Sequence, residues 1–386
     1  MGAIIALAAG LEPVSALPGL WGKVGDATLT LLGLMVTSLV LDRAGFFRWC
    51  ARRIAKASGA SGMRLWWGLL ALACVVTALL ANDGAMLILV PVYAELLTGA
   101  GCDRRTAMAY LFPAGFMIDV ASTPFSTSNL TNIMAADDFH LGPLAYARLM
   151  ALPSVAVLVS SFAVCWIAFR DRVPPAIAMT SDDVRVDPLM FRAGWGALAA
   201  LAAGYLVAHL RGWPVAAVSL AVALALLLLG LALGHLKLPD LPRLTPWSIV
   251  VFALSLFVIV DATARAGASA AIAGLWSASP ASLRPLAVGA TVAALSAGLN
   301  NLPALLLGLL GLAHVDATRQ SLAAAVVGAD VGPKLTPYGS LATLLWMRLL
   351  ASRGFDVRWR EYWPYGLALT PPVLAAGLAA VWIWGR

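Results

Sequence analysis

Residues 328–346 read GADVGPKLTPYGSLATLLW, a stretch that sets an acid, a lysine and a Thr-Pro pair into an apolar region. Asp330 and Lys334 stand four residues apart, and Thr336 and Pro337 follow at once. Proline cannot donate a backbone hydrogen bond, so a helix that reaches Pro337 is expected to end there. The stretch is therefore typical of a helix that is broken around a polar site.

The composition indicates that lipid surrounds this polar stretch. Of the 386 residues, 61% are hydrophobic and 12% are charged, and the mean hydropathy is +0.87. A soluble protein of this composition could not cover itself with polar groups. A spanning helix needs about 20 apolar residues, so the length allows roughly nine or ten crossings and no separate soluble domain. We therefore predict an all-α polytopic membrane protein in a lipid bilayer.

The basic residues predict the orientation in the membrane. The net charge is +7, and an excess of Lys and Arg in such proteins marks cytoplasmic loops, so nucleic-acid binding is not expected. Loop 42–64 carries six basic residues, and we assign it to the cytoplasm. A hairpin over 65–98 that enters and returns keeps the basic loop 170–192 inside as well. A single crossing over 65–98 would place that loop outside, which is the less favoured alternative.

Cysteine and histidine spacing predicts no metal site and no cofactor. The four cysteines form no CxxC pair, and the four histidines fall in loops or near the ends of apolar segments. The N-terminal sequence MGAIIALAAG lacks the basic region of a cleaved signal peptide, so we predict a short membrane segment there.

Four features recur in the same order in the two halves of the chain. The matched pairs are VLDRAG (40–45) with IVDATARAG (259–267), LLANDGAMLIL (79–89) with SAGLNNLPALLL (296–307), FMIDV (116–120) with VGADV (327–331), and STPFSTS (122–128) with LTPYGS (335–340). The second match aligns Asn82 with Asn300. Because Asp42 ends an inward crossing and Asp261 an outward one, we predict that the two repeats are inverted in the membrane.

Several apolar segments, such as 106–118, 302–313 and 320–331, are too short to cross alone. Short, interrupted segments in both halves indicate re-entrant hairpins and broken helices around a transport site. The predicted organisation is an N-terminal segment (1–25), a first repeat (26–169) with a hairpin (65–98) and a broken helix (106–136), a linker with two crossings (170–245), and a second repeat (246–386) with a hairpin (285–313) and a broken helix (320–350).

Polar residues at the predicted hairpin tips and breaks are the candidate binding residues. An ionised Asp at a helix centre costs about 2.5–3.5 kcal/mol on insertion scales, so such groups are expected to face a cavity. Simple helix caps and interfacial loops are the alternatives. The candidate residues are Asn82, Asp83, Ser126, Asn129, Asn300, Asn301, Thr336 and Ser340.

Intramembrane charges are the candidates for proton coupling, because ionisable groups within a membrane are expensive and mark transport paths. They are Asp83, Asp119, Asp330 and Lys334. The alternative for Lys334 is a static Asp–Lys pair that holds the second half together.

The quoted motifs, together with FRAGW (191–195) and the most specific piece, GPKLTPYGSLATLLW (332–346), resemble the arsenite/antimonite efflux permeases of the ArsB type. The resemblance covers residues 1–384, and we expect residue 1 to correspond to the start of that family's second hydrophobic segment. It implies the ion transporter superfamily architecture, with an inverted repeat, two re-entrant hairpins and two broken helices. It also implies secondary active efflux across the bacterial inner (plasma) membrane, driven by protons or assisted by a cytoplasmic partner ATPase.

The implied substrates are arsenite and antimonite. Arsenous acid is a neutral trihydroxide at pH 7, so its site should offer amides and hydroxyls rather than a fixed opposite charge. A sodium-coupled carboxylate carrier of the same superfamily is one alternative. An intramembrane hydrolase that uses Asp119 and Asp330 as a dyad is another, although no catalytic residue is predicted and we expect a transporter rather than an enzyme.

Overall fold

The computed structural model describes residues 13, 15, 17–178, 186–240 and 247–384. Residues 1–12, 14 and 16 of the predicted N-terminal segment (1–25) lie outside these residues. In chain order the helices are α1 (Leu17–Arg43), α2 (Phe46–Ser58), α3 (Gly62–Leu80), α4 (Asn82–Gly99), α5 (Arg104–Val120), α6 (Leu130–Asp138), α7 (Pro143–Phe169), α8 (Pro188–Arg211), α9 (Val215–Ala232), α10 (Trp247–Arg265), α11 (Ala268–Ser277), α12 (Arg284–Leu299), α13 (Asn301–Leu312), α14 (Arg319–Val331), α15 (Leu341–Ser352) and α16 (Trp359–Trp384).

Helix length and apolar composition make the protein a multi-pass membrane protein. Within the described ranges six helices are long and apolar enough to cross a bilayer, namely α1, α3, α7, α8, α9 and α16. The segment from Leu254 to Ser277, in α10 and α11, passes the same test as a pair bent by 65°. The predicted all-α polytopic class is confirmed.

A left-handed glycine follows the first long helix of each repeat. After α1 the backbone turns at Gly45 (φ 79°), and after α10 it turns at Gly267 (φ 97°). Only glycine adopts this conformation without steric penalty, so each helix ends there and a second short helix begins. These turns lie within the VLDRAG and IVDATARAG matches.

The next two helices of each repeat meet at a single residue with positive φ. Ala81 (φ 65°, ψ 153°) joins α3 to α4, and Asn300 (φ 96°, ψ 151°) joins α12 to α13. Asn82 and Asn301 therefore begin equivalent helices, 219 residues apart (301 − 82). The alignment of Asn82 with Asn300 was one residue out of register, because the first asparagine of the Asn-Asn pair occupies the joint. The re-entrant character of both helix pairs stays a prediction.

A break interrupts the helix that follows in each repeat. The chain leaves α5 at Val120 and resumes helix at Leu130, and it leaves α14 at Val331 and resumes at Leu341. Asp119 and Asp330 are each the last residue but one of their helix, so each carboxylate lies at the edge of a break.

The helix α1 runs unbroken from Leu17 to Arg43, across the predicted boundary between residues 25 and 26. Asp26 of this helix contacts the linker. Its carboxylate accepts the backbone N–H groups of Val215 (3.2 Å) and Ala216 (3.0 Å) at the start of α9. A carboxylate at a helix N-terminus satisfies free donors and the helix dipole, so Asp26 ties α1 to the linker helices.

Glycines allow α12 and α14 to approach closely. A Cβ atom at Gly328 would lie 2.4 Å from the carbonyl oxygen of Gly289, and one at Gly332 would lie 2.4 Å from the Cα of Ala293. Small residues are the usual means by which helices pack tightly in membranes. This contact fixes the edge of the second break against the second hairpin.

Candidate functional site

A small cavity of about 30 Å³ lies where both helix joints and both breaks meet. Such a volume holds one or two water-sized groups. Its lining is Leu31, Asn82, Asp83, Asn129, Leu130, Thr131, Asn300, Asn301, Leu302, Ser340 and Leu341. The N-termini of α4, α6, α13 and α15 therefore converge on one point, two from each repeat.

Side chains at the start of these four helices cap their free N–H groups. Asn129 and Ser340 hold equivalent cap positions and accept the N–H groups two residues on, at 3.4 and 3.1 Å. Asn82 and Asn301 each accept the N–H of the following residue, at 2.9 and 3.0 Å. Capping satisfies part of the donor set at each helix N-terminus and leaves amide groups on the cavity wall.

Asp83 faces the cavity without a partner. Its residue is 8% exposed, and no described residue donates a hydrogen bond to its carboxylate or forms an ion pair with it. Its neighbour Asn82 instead donates from Nδ2 to Asp119, at 3.1 Å. A buried carboxylate without donors is costly, so this group is expected to exchange protons or to bind a guest.

Asp119 forms an ion pair with Lys334 across the two repeats. Lys334 also donates to the hydroxyl of Thr343 (2.9 Å) and to the carbonyl of Gly115 (3.2 Å), and Thr343 donates to Asp119 (3.2 Å). Asp119 and Lys334 are 3% and 2% exposed. At a site with so little access to water, the carboxylate of Asp119 and the ammonium of Lys334 are stable only when they are paired with each other and fully hydrogen-bonded.

Asp330 receives its hydrogen bonds from the first repeat. The amide of Asn129 (3.0 Å) and the hydroxyl of Thr131 (3.2 Å) donate to one carboxylate oxygen. The hydroxyl of Ser122 lies 3.3 Å from the other oxygen and is shared with the carbonyl of Asp119, at 2.6 Å. Within the described part of the chain, no cation pairs with Asp330.

The alternative of a static Asp–Lys pair within the second half therefore named the wrong partner for Lys334. Lys334 binds Asp119 of the first repeat rather than Asp330, four residues before it. Residues four apart face each other only while the helix continues. Here α14 ends at Val331 and the chain tightens into a 3₁₀ turn from Gly332, which redirects the lysine.

Sequence comparison identifies the family in which this architecture occurs. The family profile described as "Arsenical pump membrane protein" matches residues 1–385. The chain belongs to this family. An arsenical pump membrane protein of Escherichia coli is 35% identical over 99% of this chain and 91% of its own length. One from Yersinia enterocolitica is also 35% identical, over 98% of this chain and 91% of its own.

The fold has a solved counterpart. The YdaH transporter of Alcanivorax borkumensis, whose crystal structure is described as revealing an unusual topology, superposes with a TM-score of 0.60. The match covers 96% of this chain and 87% of YdaH at 14% identity, so it shows the shared fold alone. Family and fold together make the chain a transporter of the bacterial inner membrane and not an enzyme, which confirms those predictions and sets the hydrolase alternative aside.

Six of the eight predicted binding residues of this arsenical-pump family member lie on the cavity; these are Asn82, Asp83, Asn129, Asn300, Asn301 and Ser340. Ser126 lies instead on a separate, mainly apolar cavity of about 270 Å³ between α3, α7 and α8. Thr336 is turned away and donates to the carbonyl of Ala297, at 2.7 Å.

Three hydroxyl residues of the site were not predicted. Thr131 lines the cavity and bonds Asp330, Ser122 lies beside Asp330, and Thr343 links Lys334 to Asp119. Thr131 and Thr343 follow the caps Asn129 and Ser340 by two and three residues. A hydroxyl within one turn of a repeated helix cap is the signal that could have found them.

Aromatic side chains enclose Lys334 on the side away from the cavity. Phe112, Trp346 and Tyr362 surround the lysine, with ring centroids of Phe112 5.4 Å from each of the other two. Trp346 donates to the carbonyl of Leu111 (3.2 Å), and Tyr362 donates to that of Lys334 (3.2 Å). The ammonium is therefore shielded from water and from other counter-ions.

Proposed function

We propose that the protein exports trivalent arsenic, as arsenite, and antimonite across the inner membrane in exchange for protons. The observation that supports this is the cavity wall, which presents amides and hydroxyls from both repeats beside four leucines and the carboxyl of Asp83. An uncharged trihydroxide can donate to and accept from such groups without a fixed counter-ion. The names of the relatives as arsenical pumps agree with this substrate class.

The charges beside the cavity support a neutral guest. Among the described lining residues Asp83 is the charged side chain, and it is acidic. The buried cation, Lys334, is not on the wall and is neutralised by Asp119. An anionic guest would meet an uncompensated carboxylate in a site of low polarity, where like charges repel strongly.

One observation favours a second candidate, a sodium-coupled carboxylate carrier. Four helix N-termini converge on the cavity, and each carries about half a positive charge, which attracts anions. Their caps and Asp83 reduce this attraction, so the second candidate has less support than the first.

Coupling by protons has a structural basis in the buried carboxyls. Three buried carboxyls, Asp83, Asp119 and Asp330, are accompanied by one buried lysine, so the four groups cannot all be ionised without leaving net negative charge in the membrane interior. The carboxyls could keep the net charge low by binding and releasing protons as the site opens to one side of the membrane and then to the other. A partner ATPase at the cytoplasmic face is the alternative energy source.

Everted membrane vesicles test these assignments together. Their lumen corresponds to the outside of the cell, so an acid lumen should drive arsenite into them, and a protonophore should abolish the accumulation. Antimonite should compete, whereas succinate with a sodium gradient should neither compete nor be accumulated. Accumulation that requires ATP and ignores the pH gradient would exclude proton exchange, and sodium-driven succinate uptake would favour the carboxylate carrier.

Asp83→Asn is the site variant in these vesicles, and Ser126→Ala is its matched control. Ser126 is a polar residue of the first break that lies off the cavity. Asp83→Asn should lose pH-driven accumulation at normal abundance, whereas Ser126→Ala should retain it. Equal loss in both variants would contradict the location of the site.

A further inference from the structure

We propose a division of labour among the three buried carboxyls: Asp83 alone exchanges a proton with the cavity, in competition with the substrate, while Asp119 and Asp330 are fixed links between the repeats. The inference rests on the proposed function and narrows its coupling group to one residue. It predicts one proton exchanged per arsenous acid.

Access separates Asp83 from the other two acids. Asp83 lines the cavity, whereas Asp119, Asp330 and Lys334 do not. A proton that arrives through the cavity meets the Asp83 carboxyl first and can leave by the same route. The other three groups are off the cavity wall and are themselves 3% exposed or less.

Hydrogen bonding separates them as well. Asp119 is held by Lys334, Asn82 and Thr343, and the ammonium has its remaining bonds to Thr343 and the carbonyl of Gly115. On its far side Lys334 meets the aromatic wall of α5, α15 and α16, and Cys165 of α7 is the further titratable group that acts on it. The pair is therefore complete, and removing either charge would strand the other in a dry interior, which is strongly unfavourable.

Asp330 is a link of a different kind. Its oxygens lie against Asn129, Thr131 and Ser122 of the first repeat, so it joins α14 to the first break and the start of α6. The titratable groups that act on it are Asp119 on α5 and Tyr146 on α7. Asp330 does not line the cavity, and one of its carboxylate oxygens already accepts from both Asn129 and Thr131.

Asp83 has none of these restraints. Asp119 is the charged group that acts on it. When ionised, the carboxylate can accept an O–H of arsenous acid. When protonated, it loses this acceptor charge, so proton and substrate exclude each other and exchange becomes obligatory.

Purified protein in proteoliposomes with a lumenal pH dye tests the division. Three assays apply to each variant: arsenite counterflow, which needs no net proton movement, proton release coupled to arsenite entry, and the pH dependence of the arsenite KM. The variants are Asp83→Asn, Asp330→Asn, Lys334→Met and the double variant Asp119→Asn/Lys334→Met. Asp171→Asn serves as the matched control, because this carboxyl is 88% exposed.

Asp83→Asn should still perform counterflow, although at a raised arsenite KM because the carboxylate acceptor is lost. It should move no protons, and its KM should not change with pH. In the wild type the KM should rise as the pH falls, by at most about tenfold per unit, the limit for one competing proton. The rate of arsenite counterflow by Lys334→Met should be lower than that of the wild type by tenfold or more, which corresponds to an activation free energy higher by at least ~1.4 kcal/mol. The double variant should recover much of that loss and keep proton coupling, since no stranded charge remains. Asp330→Asn should transport arsenite more slowly than the wild type but should still release protons as arsenite enters.

Proton release by Asp83→Asn, or a double variant that folds and transports without moving protons, would overturn the division. If Asp83→Asn elutes as an aggregate, Asp83→Glu replaces it. Asp83→Glu should keep proton coupling and shift the pH dependence of the arsenite KM. An Asp83→Glu variant that transports arsenite without moving protons also counts against the proposal. Failure of the proposed function is distinguishable, because the wild type itself would then show no arsenite flux or no accompanying protons.

Discussion

Asn129 donates from its side-chain amide to the carboxylate of Asp330, 3.0 Å away, and so joins the break of the first repeat to the half-helix of the second. The complementary link runs the other way, from Lys334 of the second break to Asp119 of the first half-helix. Each repeat therefore completes the polar contacts of the other. Movement of one repeat relative to the other has to act on these two links.

Asn129→Ala is expected to weaken the first of them. The change removes one hydrogen-bond donor of the buried Asp330 carboxylate and the side chain that caps α6. A buried polar group that loses its hydrogen-bond partner lowers the stability of the folded state by about 1–3 kcal/mol. The thermal unfolding midpoint of the purified protein should fall, and arsenite efflux should fall with it. Ser126→Ala, three residues earlier and off the cavity, is the control. Similar midpoints for the two variants would show that the bond to Asp330 contributes nothing.

Ala81→Val is expected to destabilise the joint between α3 and α4. Ala81 has φ 65° and ψ 153°, a region nearly restricted to glycine, and a β-branched residue fits it poorly. Ala73→Val, at an equally buried helical position, controls for overpacking alone. The unfolding free energy should fall by roughly 1 kcal/mol more for Ala81→Val than for the control. Ala81→Gly should be tolerated, and if it proves worse than Ala81→Val the strain argument fails.

Much of this arrangement was predictable from local sequence, for a physical reason. A polar residue in hydrocarbon is expensive, so Asn82, Asp83 and Asn129 stand out against an apolar background. Their recurrence in the second half points to one shared site, and the structure does place six of the eight candidates on one cavity.

Contacts between the repeats were not predictable from local sequence. The pairing of Lys334 with Asp119 joins residues 215 positions apart (334 − 119) and leaves no periodic signature. Nearness to the caps Asn129 and Ser340 was the one signal for the hydroxyls of Thr131 and Thr343, and it is weak because a helical hydroxyl can also satisfy itself on a nearby carbonyl. The bonds of Asp26 were not predictable either, because its partners on α9 lie far along the chain.

A variant without cysteine is expected to transport arsenite. Trivalent arsenic binds thiolates, but none of Cys50, Cys74, Cys102 and Cys165 lines the cavity. Serine should replace Cys50 and Cys102, and alanine should replace Cys74 and the fully buried Cys165. The last change leaves a small void and should lower stability by roughly 1 kcal/mol. Loss of efflux at normal abundance in membranes would show that a thiol takes part.

Gly328→Ala is expected to disrupt the packing of α14 on α12, and with it the second break. The added Cβ would lie 2.4 Å from the carbonyl oxygen of Gly289 and 3.0 Å from the backbone nitrogen of Ala293, neither of which can move without shifting a helix. Overpacking of this kind costs about 1–3 kcal/mol or more, so the thermal midpoint and the yield of folded protein should both fall.

The matched change is Gly196→Ala in α8, where an added Cβ meets nothing within 4 Å. Alanine is the better helix former by about 1 kcal/mol, so this variant should be as stable as the wild type or more so. Because both variants replace a helical glycine by alanine, their difference isolates the close approach of Gly328 to Gly289. Equal midpoints for the two variants would mean that α12 and α14 are not packed in this way when the protein is in its membrane.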